Sequence, residues 1–234
     1  MTTPKLSIIM PVYNEVRTIA EAVQRVWHAP LDIAKELIVV DDASTDGTRE
    51  QLEKLVAESA AEIRIISQTV NCGKGAAIRA GVAYASGEII LIQDADLEYD
   101  PRDYPHLLAP ILDGHADVVF GNRFHGGPHR VLYFWHYVGN RILTLITNVV
   151  TGLNLSDMEV GYKVFRADTL RRLTIKSDRF GFEPEMAVKV ARMGCRVYEV
   201  PIGYYGRTYE EGKKITWRDG VAALFHIFRY RFFD

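Results

Sequence analysis

A chain of 234 residues, 48% hydrophobic and 25% charged, has the composition of a soluble globular protein and can bury a substantial core without covalent staples. No run of 18 apolar residues reads as a membrane span, and the amino terminus carries no signal-peptide pattern. The two cysteines, Cys72 and Cys195, lack metal-ligand spacing, so a reduced, cytosolic setting is expected. The net charge of −2 is unevenly divided: residues 1–120 hold 10 Lys and Arg against 19 Asp and Glu, and residues 121–234 hold 18 against 11. Such a split suits a cation in the first half and phosphate or an anionic membrane surface in the second.

In chain order, short Ile-, Val- and Leu-rich runs predict strands over 6–10, 36–40, 63–67, 88–93 and 117–120. Their nearly continuous apolar character is that of strands covered on both faces. Longer mixed segments between them predict helices over 16–28, 45–59, 75–86 and 105–114. The alternation implies an α/β domain: an open, mostly parallel, Rossmann-like sheet flanked by helices, with the strand C-termini along one edge. Polar clusters follow four of these strands. They are Pro11-Val12-Tyr13-Asn14-Glu15, Asp41-Asp42, Asn71-Cys72-Gly73-Lys74-Gly75 and Asp94-Ala95-Asp96-Leu97-Glu98.

Asp94 and Asp96 stand two apart, so in an extended segment their carboxylates face one way and repel unless a cation lies between them. Hard oxygen ligands suit Mg2+ or Mn2+, with Glu98 as a third donor. Asp41 or Asp42 at a strand end can accept from a base or ribose hydroxyl, while Ser44 or Thr45 can cap the next helix. Lys74, between two glycines before a helix, suits a phosphate. There is no G-x-G-x-x-G and no Walker A sequence, which argues against dinucleotide oxidoreductases and P-loop enzymes. Farther on, 131–150 is a long apolar helix candidate, and 199–202 reads as a strand leading to the basic segment Arg207-Thr208-Tyr209-Glu210-Glu211-Gly212-Lys213-Lys214. Residues 221–233 mix aromatic and basic side chains, a pattern suited either to a membrane interface or to a terminal helix docked on the core.

The four clusters, in that order, resemble the donor half of family-two glycosyltransferases with the GT-A fold. Gly121-Asn122-Arg123, the segment from Asp157 to Gly161-Tyr162-Lys163, Phe182-Glu183-Pro184-Glu185 and the basic segment resemble dolichyl- and polyprenyl-phosphate sugar synthases. The resemblance covers about residues 6–220. It implies one catalytic domain over 1–234, with a nucleotide-sugar half (1–120), an acceptor half (121–220) and a C-terminal, membrane-associated helix (221–234). It also implies inverting transfer of a hexose from a nucleotide sugar, GDP-mannose before UDP-glucose or UDP-GlcNAc, to a polyprenyl monophosphate. Asp94 and Asp96, with Glu98, would hold Mg2+ or Mn2+. Pro11, Tyr13, Glu15 and Asp41, with Asp42, would frame the nucleotide, and Lys74 would approach it or its phosphates. Arg123, Arg207, Lys213 and Lys214 would grip the acceptor phosphate. Asp157 and Glu185 would touch sugar or acceptor, or else pair with nearby Arg and Lys. Glu98 stands where the mannose synthases commonly carry Gln, and Ala43 where they commonly carry Gly. Peripheral association with the cytoplasmic face of the membrane is expected, and a nucleic-acid partner is not. The competing readings are a soluble saccharide or protein acceptor, or a non-catalytic sugar-nucleotide-binding subunit.

Overall fold

A computed structural model describes residues 4–58, 62–131, 133–213 and 217–233. Strands β1 (Leu6–Val12), β2 (Lys35–Asp41) and β4 (Ile89–Ile92) are buried along almost their whole length, as their unbroken apolar runs require. Strand β3 (Ile63–Ser67) pairs only with β2 and is partly exposed, so the expectation of burial on both faces fails at this sheet edge. Helices α1 (Ile19–Trp27), α2 (Thr48–Glu58), α3 (Lys74–Val82) and α4 (Tyr104–Leu112) fall where the mixed segments predicted them, each shorter than expected. In α1 the buried residues Ile19, Ala22, Val23 and Val26 recur at helical spacing and put one face on the sheet. The start of α2 is held by Asp46, whose carboxylate accepts from the backbone and hydroxyl of Thr48. Ser44 and Thr45 instead bond to Asn14, so neither caps the helix.

The sheet is mostly parallel, as expected, and in the second half one strand is reversed. After β5 (Val118–Asn122) the chain crosses the open edge and runs through the long helix α5 (Phe134–Thr151), which Gly152 ends in a left-handed turn at φ +78°. It then returns as β6 (Lys163–Arg166), a strand absent from the sequence reading. Among the described residues the sheet has the order β3-β2-β1-β4-β6-β5-β7, where β7 is Val197–Pro201, and β6 runs antiparallel to both its neighbours. Because of that direction Lys163 pairs with Ile92 and Phe120 near the C-terminal ends of β4 and β5. The loop entering β6, with Asp157, Glu159 and Gly161, is thereby delivered to the same edge as Asp94 and Asp96. Helices α6 (Ala167–Arg172), α7 (Phe182–Arg192) and α8 (Trp217–Phe232) complete the described α-helices, with α8 packed on α5 and α7.

Candidate active site

The C-terminal sheet edge opens into a cavity of about 850 Å³. Its wall carries the carboxylates of Glu15, Asp94, Asp96 and Glu98 and the apolar side chains of Phe134, Leu143 and Phe180. Beyond the end of β4 the backbone turns, and Leu97 sits at φ +63°, so the Asp94–Asp96 pair is not extended as expected. Each carboxylate meets its own cation. Asp94 Oδ1 lies 2.9 Å from Lys74 Nζ, which is also 3.0 Å from Glu183 Oε1. Asp96 Oδ2 lies 3.1 Å from Arg207 Nη2, and Arg207 Nη1 is 3.2 Å from Glu15 Oε2. Gly161 packs against Asp94 and the Tyr99 ring so closely that a Cβ there would collide with both.

Glu98 corrects the three-carboxylate expectation. Its Oε1 accepts from the backbone N–H of Arg207 (2.7 Å) and its Oε2 from the Tyr204 hydroxyl (3.1 Å), so the carboxylate anchors the 203–213 segment. Among the described residues no three His, Cys, Asp or Glu side chains group as metal ligands. Asp94 and Asp96 still fit a divalent cation. Burial, with Glu98 and Asp94 adding to it against the pull of Arg207, pushes the Asp96 carboxyl up to about 7. Two hard carboxylates, with diphosphate oxygens of a donor completing the shell, are a usual arrangement for Mg2+.

Pro11, Tyr13, Asp42 and Lys74 also line the cavity. Asp42 accepts from the backbone N–H groups of Cys72 and Gly73, both at 2.7 Å, so the amides leading into α3 hold this carboxylate and are not open to a phosphate. Asp41 is fully buried, is held by Ser44 N–H (3.1 Å) and Arg49 (3.0 Å), and is not part of the cavity wall. It shapes the loop and leaves Asp42 as the carboxylate facing the cleft. Arg123 lines the cavity too, but Asp157 grips it at 2.7 Å through both Nε and Nη2 while also accepting from Asn140 (2.9 Å). Asp157 is wholly buried, so direct substrate contact gives way to orienting Arg123. Glu185 is likewise buried, accepting from Lys176 N–H, Ser177 N–H (both 2.7 Å) and Lys189 Nζ (2.6 Å), and serves as a structural partner. Lys213 lines the cavity with its Nζ 5.7 Å from the Tyr133 ring centre, whereas Lys214 lies outside the described residues.

Sequence reasoning missed Glu159, Glu183 and Tyr99, which line the cavity together with Tyr204. The Phe-Glu-Pro-Glu motif contained a usable signal. Residues two apart on a helix point about 200° apart, so only one of Glu183 and Glu185 could face the site. Burial, reinforced by Glu183, pushes Glu159 up to about 8. Burial also lowers the Lys163 ammonium beneath it to about 8, against the attraction of Glu183.

Comparison with known proteins agrees with this geometry. Residues 7–174 match the model of glycosyl transferase family 2. The chain belongs to that family. It is 33% identical over 225 residues to an undecaprenyl-phosphate mannosyltransferase of Micrococcus luteus, covering 92% of this chain and 90% of that protein. It is 29% identical to a dodecaprenyl-phosphate galacturonate synthase of Rhizobium johnstonii, over 95% of this chain and 64% of that protein. A crystal structure of glucosyl-3-phosphoglycerate synthase from Mycobacterium tuberculosis, with Mn2+, UDP and phosphoglyceric acid, superimposes with a TM-score of 0.73 at 20% identity, over 99% of this chain and 80% of that one. The family member described here has the GT-A fold.

Proposed function

We propose that this glycosyltransferase moves a hexose from a nucleotide sugar to a polyprenyl monophosphate, with GDP-mannose favoured over UDP-glucose or UDP-GlcNAc as donor and with inversion at the sugar carbon. The observation that carries this reading is the cavity itself, whose wall combines the carboxylates at the strand ends with apolar side chains from α5 and with Phe180. A lipid phosphate needs both environments within reach of one another. The printed activities of the Micrococcus and Rhizobium relatives favour the same acceptor class.

Asp94 and Asp96 would hold Mg2+ or Mn2+, which when bound supplies neutralisation of the charge gathering on the leaving nucleoside diphosphate. Pro11, Tyr13 and Asp42 frame the nucleotide, with Glu15 beside them. A phosphate monoester has its second ionisation near pH 6, so the acceptor is largely a dianion at neutral pH and attacks without a general base. Its needs are positioning and cationic contact. Arg123, already oriented by Asp157, supplies a planar donor, and Lys213 a point charge.

Access from a membrane surface is supported by two apolar stripes. Trp135, Ile142, Leu145 and Val149 are exposed along α5, and Val221, Phe225, Phe228 and Phe232 along α8, at helical spacing. Ala223, Ile227 and Tyr230 on the opposite side of α8 are buried, so this helix both docks on the core and presents an apolar face. Arg141, Arg229 and Arg231 are exposed on the same two helices and suit anionic lipid. Among the described residues no helix is long and apolar enough to cross a membrane.

The test is a reaction with labelled GDP-mannose, UDP-glucose or UDP-GlcNAc and undecaprenyl phosphate in detergent, followed by butanol extraction. Metal-dependent label in the organic phase from one donor supports the reading. Label found only in water-soluble saccharide or protein would replace the acceptor, and donor turnover with none of them would remove it.

A further inference from the structure

The geometry points to Arg207 as an internal counter-cation that shares Asp96 with the divalent metal, so that metal binding expels its guanidinium into the cavity. This rests on the reading of Asp94 and Asp96 as the metal-holding pair.

One guanidinium spans three carboxylates. Arg207 Nη2 is 3.1 Å from Asp96, Nη1 is 3.2 Å from Glu15 and Nε is 3.7 Å from Glu98. A divalent cation approaching Asp96 meets a positive charge already seated on it, and two cations on one carboxylate oxygen repel. The backbone of Arg207 is fixed separately. Its N–H donates to Glu98 Oε1 at 2.7 Å, the preceding Tyr205 N–H donates to the Glu98 carbonyl at 2.8 Å, and the Tyr204 hydroxyl holds Glu98 Oε2 at 3.1 Å. The next turn is tied to the α5 side: Glu211 accepts from Arg130 (2.7 Å) and from Thr208 N–H (2.7 Å), and Tyr209 meets His136 (2.8 Å). With the main chain pinned on both sides, the mobile part is the side chain, a long arm pivoting on an anchored Cα. Released from Asp96, it swings about its remaining contact with Glu15, itself in the cavity wall, toward the space lined by Arg123 and Lys213, where an anionic acceptor would be received. Metal loading thus both neutralises the acidic end and adds a cation at the acceptor end, which makes the acceptor site incomplete until the metal is in place.

Two readouts test this without turnover. Free Mn2+ is followed by electron paramagnetic resonance, without nucleotide, in the wild type, Arg207→Gln, Arg207→Lys and Asp96→Asn. Arg207→Gln is expected to bind Mn2+ about tenfold more tightly than the wild type, as loss of a competing half-buried charge implies, with Arg207→Lys between them. Asp96→Asn is expected to abolish the site in either background. In parallel, phenylglyoxal adducts at Arg207 are quantified by mass spectrometry, and adding Mn2+ alone should raise its reactivity while Arg123, held by Asp157, stays protected. Equal Mn2+ affinity in wild type and Arg207→Gln, or Arg207 reactivity indifferent to Mn2+ in a protein that binds it, overturns the exchange and leaves the metal reading standing. Absence of Mn2+ binding from every variant, with nucleoside diphosphate present as well, overturns both.

Discussion

Asp96 and Arg207 face each other across 3.1 Å, and their roles separate by substitution. Asp96→Asn keeps the shape of the side chain and removes its charge, so metal-dependent donor binding and transfer should both be lost while the thermal melt stays within a few degrees of wild type. Near wild-type turnover in ordinary Mg2+ would contradict the role of Asp96. With the metal at saturating concentration, Arg207→Ala should leave donor affinity close to wild type and lower transfer by about 2–4 kcal/mol of transition-state stabilisation, the scale of losing one preorganised donor to a reacting anion. Donor titration and steady-state rates on the same variant check this; parallel loss of donor affinity would move Arg207 to the nucleotide phosphates. Residue roles were only half legible in the sequence. The spacing of Asp94 and Asp96 suggests a cation between them, but spacing cannot say where a side chain turns. The sequence leaves Asp157 and Glu185 open between substrate contact and pairing with a nearby cation and assigns Asp41 to the nucleotide; in the fold each is held by a cation: Arg123 from 34 positions away, the ammonium of Lys189, and the guanidinium of Arg49.

At the level of elements, the buried strands read correctly because an unbroken Ile, Val and Leu run has few alternatives in water. Strand β6 was unreadable because Lys163-Val164-Phe165-Arg166 is short and bounded by charges, and its extended form is imposed by β4 and β5 on either side. The start of the sheet carries a testable electrostatic joint. Burial raises the Glu36 carboxyl, but hydrogen bonds from Ser7 and Ser86, with the Lys5 ammonium, outweigh it and bring the group down to about 2. A depressed carboxyl stabilises the fold fully above its unfolded value of about 4.5, and that stabilisation is lost as pH falls toward the folded value. Thermal melts of wild type should therefore drop between about pH 4.5 and 2, and Glu36→Gln should lower stability by about 1–3 kcal/mol at neutral pH while flattening that drop. A variant as stable as wild type at neutral pH, with an unchanged acid profile, would refute the assignment. The exposed stripes of α5 and α8 carry a second element-scale expectation. Trp135→Ser, Leu145→Ser and Phe225→Ser together should abolish flotation with anionic liposomes while leaving transfer to a short, water-soluble polyprenyl phosphate intact. Undiminished flotation would place membrane contact elsewhere. Because Ala223, Ile227 and Tyr230 are part of the core, deleting 222–234 is a poorer test than changing the exposed face.

Across the whole molecule, the acidic and basic halves meet in one cavity. The first half supplies the carboxylates at the ends of β1, β2 and β4; the end of β5 and the 203–213 segment bring Arg123, Arg207 and Lys213 to the same space. The charge split in the sequence thus matches a cavity walled by groups of both signs, while the arrangement joining them depended on the strand that the sequence concealed. The central claim is that a bond forms between the sugar and the phosphate of a lipid. Phosphorus-31 NMR of a reaction containing the full chain, Mg2+, the preferred nucleotide sugar and polyprenyl phosphate observes that atom directly. The acceptor resonance, whose position moves with pH as a monoester, should be replaced by a pH-insensitive diester resonance in step with release of nucleoside diphosphate. Release of nucleoside diphosphate from every donor tried, with the monoester resonance unchanged, would contradict the account.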